Sequence, residues 1–297
     1  MKKSIFNRML NAIVLTLCVI VLTACEESAP TEPVAVEPTS YIIALDLSDR
    51  IADPQTCQQD INAVQKVFEQ FEYTVAKEHR YVKAEDCFLV TLVPQSSSGR
   101  VMNAQVDALC IDLKTIPVHD RRQALQDFKA ALPDRLAQLY ASATAKGSYS
   151  GANIYAYFDR VLPELLAATT GSRVLFTLIT DGYLELDDPK ETVQREGKTN
   201  YMNRQLMARL RQGDAYKGNS DVLLLPERLM GREGLEKLHV LLLGLKAKAN
   251  YIDELSLLES VWGSWFQGMK LKDARMVPYD ESVLVTDQAI THALQQI

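Results

Sequence analysis

Three runs of consecutive apolar residues dominate the hydrophobic pattern of this 297-residue chain. They cover residues 41–45, 173–180 and 239–245. A continuous apolar run of this length is typical of a strand that is buried on both faces, as in a parallel sheet. The three runs therefore predict the centre of such a sheet.

Segments with helical spacing of apolar residues lie between and after these runs. They cover 60–71, 120–146 with a break at Pro133, 153–168 with an interruption at Pro163, 203–211 and 253–269. Two short β-rich runs, 87–93 and 108–113, are joined by a polar link without helical spacing, so we expect them to pair antiparallel. Val283–Val285 is predicted to be an edge strand. The fold class is thus α/β: a doubly wound, mostly parallel central sheet with helices on both faces and one antiparallel strand.

The first 24 residues are typical of a targeting segment. Basic side chains precede an apolar core at 13–22, which is shorter than the roughly 20 residues of a membrane-spanning helix. The small residues before Cys25 resemble the lipobox of bacterial lipoproteins, which implies that residues 1–24 are removed and Cys25 is acylated. Glu26 follows the cysteine, and by the same resemblance this favours the outer membrane, with the protein facing the periplasm.

Residues 25–40 are acidic and proline-rich, and predict an extended tether between the lipid and a folded part at 41–290. Such a tether reaches at most about 50 Å. The formal net charge is −6, and it becomes −9 once residues 1–24, with three basic and no acidic side chains, are removed. A nucleic-acid partner would require a basic face, so none is expected.

Two of the apolar runs end in an aspartate. Asp46 follows the first and Asp181 the second. Ligands of open α/β sheets bind beyond the carboxyl ends of the strands, so the two aspartates suggest one shared site. The alternative is that each caps a helix or opens a turn.

This order of elements resembles the von Willebrand factor type A domain. In that family the first strand ends in Asp-x-Ser-x-Ser, a later loop supplies a threonine, and a further strand ends in Asp-Gly. The resemblance implies a divalent cation, usually magnesium, held by hard oxygen ligands. Asp46, Ser48 and Asp181 occupy three of the matching positions.

Two other positions depart from the family pattern. Arg50 stands at the second serine, and Ala152 stands at the threonine, within a loop where Ser150 or Asn153 is a substitute donor. We expect magnesium to bind weakly or not at all, with the Arg50 guanidinium replacing it by paired hydrogen bonds to the aspartates. The competing hypothesis is that Arg50 points outward and a metal still binds.

The resemblance implies a module that binds a protein partner of the envelope through the loops at the carboxyl edge of the sheet. The residues expected to contact the partner are Asp49, Arg50, Ser150 and Asn153. We expect no enzyme, because the chain has no Gly-x-Ser-x-Gly motif and no glycine-rich phosphate loop. A metal-dependent hydrolase using the strand-end aspartates and a structural spacer with a decayed site are the alternatives.

An exported protein can form disulfides, and three cysteines remain after Cys25. Cys87 and Cys110 belong to the two runs expected to pair and could form a bridge. Cys57 could instead reach Cys87, or all three thiols could stay reduced.

Overall fold

The three apolar runs form adjacent parallel strands. In the computed structural model, strand β1 is Thr39–Leu45, β4 is Arg173–Ile179 and β7 is Leu238–Leu245. The six-stranded sheet has the order β3-β2-β1-β4-β7-β8, with β2 Cys87–Leu92, β3 Ile111–Asp112 and β8 Asp273–Pro278. All neighbours pair parallel except β2 and β3. The predicted fold class is confirmed. The structure describes residues 37–78, 81–95, 103–145, 147, 149, 151–186, 189–212, 221–248, 251–271, 273–280 and 282–296.

Helices cover both faces of the sheet. They are α1 Pro54–Tyr73, α2 Ala104–Asp107, α3 Arg121–Thr144, α4, α5 Arg204–Gln212, α6 Glu227–Met230, α7 Glu254–Gly268 and α8 Val283–Gln295. Helix α4 consists of Ile154–Ala156, a π-helical turn Tyr157–Val161, and Leu162–Ala168. A two-stranded ribbon, β5 Gln194–Arg195 and β6 Lys198–Thr199, lies apart from the main sheet. Among the described helices, none is long and apolar enough to cross a membrane.

Alternate residues of the central strands serve two separate cores. Ile43 and Leu45 of β1 pack with α1, α3 and α8, whereas Ile42 and Ala44 pack with α4, α5 and α7. Successive side chains of a strand point to opposite faces, so a strand between two helical layers must be apolar at every position. This explains the unbroken apolar runs of the sequence.

Several element boundaries differ from the predictions. Strand β1 includes Thr39 and Ser40, which were predicted to belong to the tether, and both are buried. Helix α1 begins six residues earlier than predicted, because Pro54 occupies its first turn and Asp53 caps it by accepting the N–H of Gln55.

The C-terminal part contains a wrong prediction. Val283–Val285 opens helix α8 and is exposed, so it is not a strand. The edge strand is β8, whose side chains are mostly half-buried and therefore gave no continuous apolar run. Helix α3 continues through Pro133 without the predicted break.

The predicted pairing of β2 with β3 is confirmed, but the proposed Cys87–Cys110 disulfide is not formed. All three cysteines of the described part are free thiols. The register aligns Cys87 with Asp112, two residues beyond Cys110. The Cys110 thiol instead donates to the carbonyl oxygens of Val106 and Val90. Cys25 lies outside the described residues.

Candidate functional site

Asp46 and Asp181 meet at the carboxyl edge of the sheet. Strands β1 and β4 are parallel neighbours, and the Asp46 N–H donates to the Ile179 carbonyl at 3.0 Å. The Thr180 hydroxyl, adjacent to Asp181, donates to Asp46 Oδ2 at 2.7 Å. The chain continues from β1 to β2 on one side and returns to β4 on the other, so this is the topological switch point, where α/β proteins bind ligands.

Both oxygens of Asp46 are engaged within the fold. Asp46 is fully buried, and its Oδ1 accepts the backbone N–H of Ser48 at 2.9 Å. Ser48 is buried as well. This arrangement ties the first turn after β1 to the tip of β4. Asp46 therefore holds the two strand ends together at the floor of the site.

A lysine forms an ion pair with Asp181. Lys248 follows β7, and its Nζ lies 2.6 Å from Glu185 Oε2, 3.2 Å from Asp181 Oδ2 and 3.2 Å from Asp49 Oδ1. Its side chain is only 13% exposed. The Tyr183 hydroxyl accepts the Lys248 backbone N–H, and the Tyr183 ring lies 5.0 Å from Nζ. An ammonium group has three hydrogens, and here three carboxylates surround it.

The charges at the floor are mutually dependent. Burial raises the pKa of Asp181 to about 6, the charge of Asp46 adds to the rise, and Lys248 opposes it. Burial lowers the pKa of Lys248, but attraction to Asp181, Glu185 and Asp49 outweighs this and raises it overall. Lys248 therefore stays charged at neutral pH. The pKa of Asp181, at about 6, lies only slightly below neutral pH.

Arg50 is not placed as either hypothesis expected. Its side chain is 3% exposed, and the guanidinium forms a bidentate pair with Asp60 of α1, at 2.6 and 2.8 Å. It reaches Asp46 only at the backbone oxygen, at 3.2 Å. The hydroxyls of Tyr140 and Tyr279 also donate to the Asp60 carboxylate, to Oδ2 at 2.7 Å and to Oδ1 at 2.9 Å. Arg50 is thus a buried ion held by Asp60, and it does not pair with the carboxylates of Asp46 and Asp181.

The loop expected to supply the threonine position carries no replacement donor in its described part. Ala152 and Asn153 are both buried. The Asn153 carboxamide caps α4 by accepting the Ala156 N–H at 2.8 Å and donates to Glu191 at 2.6 Å. Asn153 therefore does not face a partner, contrary to the prediction. Ser150 lies outside the described residues.

These donors do not fit a divalent cation. At two positions where the resembled motif has a serine and a threonine this chain has Arg50 and Ala152, and the Lys248 ammonium lies 3.2 Å from Asp181 Oδ2. In the described ranges, no group of three or more His, Cys, Asp or Glu side chains is arranged to hold a metal ion.

A small cleft adjoins the floor. It has a volume of about 190 Å³ and lies between the loop after β1 and the residues after β7, with Asp181, Lys246 and Tyr279 in its wall. Of the predicted contact residues, Asp49 is well placed, because its side chain is 58% exposed beside Lys248. Lys246 is exposed and pairs with Asp53 at 3.3 Å.

Gly182 fixes the turn after Asp181. Its φ is +96°, and a Cβ there would stand 2.4 Å from Leu245 Cδ2. The indole N–H of Trp262 on α7 donates to the Gly182 carbonyl at 2.9 Å. Helix α7 thereby holds the Asp-Gly turn against the end of β7.

The sequence pattern did not mark Asp60, Glu185 or Lys248 as site residues. A signal for Lys248 was present, since it follows the third buried run just as the aspartates follow the first two. Asp60 was assigned to the helix without a polar partner.

No family model matches the chain, and a search of curated proteins finds no match either. Among solved structures, a von Willebrand factor type A protein from Catenulispora acidiphila is similar, with 10% identity and a TM-score of 0.45, covering 87% of this chain and 42% of that one. The pilus adhesin SpaC from Lactobacillus rhamnosus GG, in an open conformation, gives 14% identity and a TM-score of 0.44, covering 88% and 30%. The chain thus spans less than half of either protein. A TM-score below 0.5 is too low to support an inference about function.

Proposed function

We propose that the folded part is a recognition module that binds a protein partner through the loops at the carboxyl edge of its sheet. The observation that carries this proposal is the charged cluster at the switch point between β1 and β4. Its floor, Asp46 and Asp181, is buried, whereas Asp49 and Glu185 at its rim remain accessible. Exposed charges over a rigid floor suit contact with another macromolecule.

The size of the cleft favours binding over catalysis. Its volume of about 190 Å³ falls below the range of roughly 300–1,000 Å³ usual for small-molecule sites. The carboxylates of the floor are also committed to Thr180, Ser48 and Lys248. We therefore propose that the protein is not an enzyme.

We propose that the module lies in the bacterial envelope. The leader and Cys25 support a lipid anchor in the outer membrane, and the acidic, proline-rich sequence predicted over 25–40 supports a tether that reaches into the periplasm. In this proposal the partner is an envelope protein within reach of the tether.

Site-specific photo-crosslinking in intact cells tests the proposed surface. A photoreactive residue replaces Ala247, which is exposed at the cleft and has no polar side chain to lose. The matched control is Thr170, which is exposed in the turn before β4, at the opposite edge of the sheet. We expect a discrete crosslinked protein from position 247 and none from position 170.

A charge reversal completes the design. Asp49→Lys alters an exposed side chain, and we expect it to weaken the crosslink from position 247 several-fold while the protein remains folded. The absence of a product at position 247, or the same product from position 170, would refute the proposed surface.

A further inference from the structure

We infer that Lys248 is a built-in counter-ion that takes the place of a divalent cation at the carboxyl edge, so that this site is complete without a metal. The inference concerns the site's own charge balance and does not depend on the identity, or the existence, of a protein partner.

The first support is the convergence of carboxylates on one nitrogen. Asp49 comes from the turn after β1, Asp181 and Glu185 come from the loop after β4, and all three lie within 3.2 Å of Lys248 Nζ. These segments are remote in sequence from Lys248, and only the sheet order brings them together. One carboxylate would balance the single charge of an ammonium on the surface, whereas three carboxylates converge on Lys248.

The second support is the fixed position of the lysine backbone. The Lys246 N–H donates to the Asp181 carbonyl at 3.1 Å, which attaches the exit of β7 to the exit of β4. The Lys248 N–H donates to the Tyr183 hydroxyl at 3.1 Å. From this fixed backbone the side chain, which is 13% exposed, extends across the switch point to Asp49. This separates Lys248 from Lys246, which is exposed and has one partner, Asp53.

The third support is the chemistry of the remaining donors. Arg50 and Ala152 stand where the resembled family has oxygen ligands. The Arg50 guanidinium, which the sequence favoured as the replacement cation, is consumed by Asp60. Lys248 is left as the cation that neutralises Asp181. Without it the three carboxylates would be unneutralised, and they carry the oxygen donors that Mg²⁺ and Mn²⁺ prefer, although in the wild-type arrangement they do not form a group that could hold a metal ion.

The test compares the full-length wild-type chain with Lys248→Met and with the matched control Lys246→Met, by thermal unfolding with Mn²⁺, with Mg²⁺ and with chelator. We expect the wild type and Lys246→Met to keep the same midpoint under all three conditions. Lys248→Met should unfold at a lower temperature. Mn²⁺ should then raise its midpoint by about 5–10 °C once the ion is at roughly a hundred times its Kd.

Three results would overturn the inference: a metal-dependent shift of several degrees in the wild type, equal stability of the two lysine variants, or no response of Lys248→Met to Mn²⁺. If Lys248→Met does not fold, the wild type still decides. Loss of the free Mn²⁺ electron paramagnetic resonance signal on adding wild-type protein would then overturn the inference, and an unchanged signal at millimolar Mn²⁺ would support it.

Discussion

Replacing Arg50 tests whether the buried pair with Asp60 fixes the turn beneath the site. Arg50→Met removes the positive partner of a fully buried carboxylate and leaves Asp60 with only two tyrosine hydroxyls. Breaking a buried ion pair in this way costs about 3–5 kcal/mol, because an uncompensated charge stays in the interior. For a domain of this size that corresponds to a fall in Tm of about 6–20 °C.

The assay is a double-mutant cycle by urea unfolding, with Arg50→Met, Asp60→Asn and both changes together. Asparagine keeps the shape of the side chain and can still bond Tyr140 and Tyr279. We expect the double variant to be no less stable than either single variant, because it removes both charges. The coupling energy should then be at least the cost of Arg50→Met alone, about 3–5 kcal/mol.

The control is Lys66→Met on the same helix. Lys66 pairs with Glu69 at 2.9 Å on the surface, and exposed pairs contribute at most about 1 kcal/mol. If Arg50→Met costs no more than Lys66→Met, or if the two changes of the cycle simply add, the pair does not hold the turn.

Three further predictions concern the site and the anchor. Gly182→Ala should destabilise the fold by about 2–5 kcal/mol, because its φ is positive and the new Cβ would meet Leu245. Gly171→Ala, where φ is +88° and the space is open, should cost only about 1–2 kcal/mol. Equal losses of stability in thermal unfolding would contradict the contact with Leu245. Asp181 holds a proton in the folded state between about pH 4 and 6 that the unfolded chain has lost, so its contribution to stability falls as pH rises through 6. Relative to Asp181→Asn, wild-type stability should decline by about 3 kcal/mol from pH 4 to 7, and a flat difference in urea titrations would refute this. The wild-type protein should incorporate a labelled fatty acid in cells and Cys25→Ala should not, and a wild type without label would exclude the lipid anchor.

The buried centre of the sheet could be predicted because each strand there had to be apolar on both faces. Strands β1, β4 and β7 satisfy this condition, and the meeting of Asp46 with Asp181 followed from it. Strand β8 could not be found in the same way, since an edge strand is half solvated. The β-branched Val283 and Val285 then suggested a strand, where packing against α1 and β8 imposes a helix.

The roles of the charged residues depended on distances that no local pattern contains. Arg50 was expected to pair with Asp46 and Asp181, whereas it pairs with Asp60, which is buried on the inner face of α1. Lys248 lies more than 60 residues from each of its partners. Its placement follows from the order of strands in the sheet, and that order is not written in any single segment.

The hydrogen bond from the Trp262 indole to Gly182 has a practical consequence. The chain contains two tryptophans, and the other, Trp265, donates to the Leu224 carbonyl. Intrinsic emission thus comes from one helix that touches two different loops. A Trp265→Phe protein would report on the Asp-Gly turn alone, and any occupant that shifts this turn should change the wavelength or yield of its fluorescence without an attached dye.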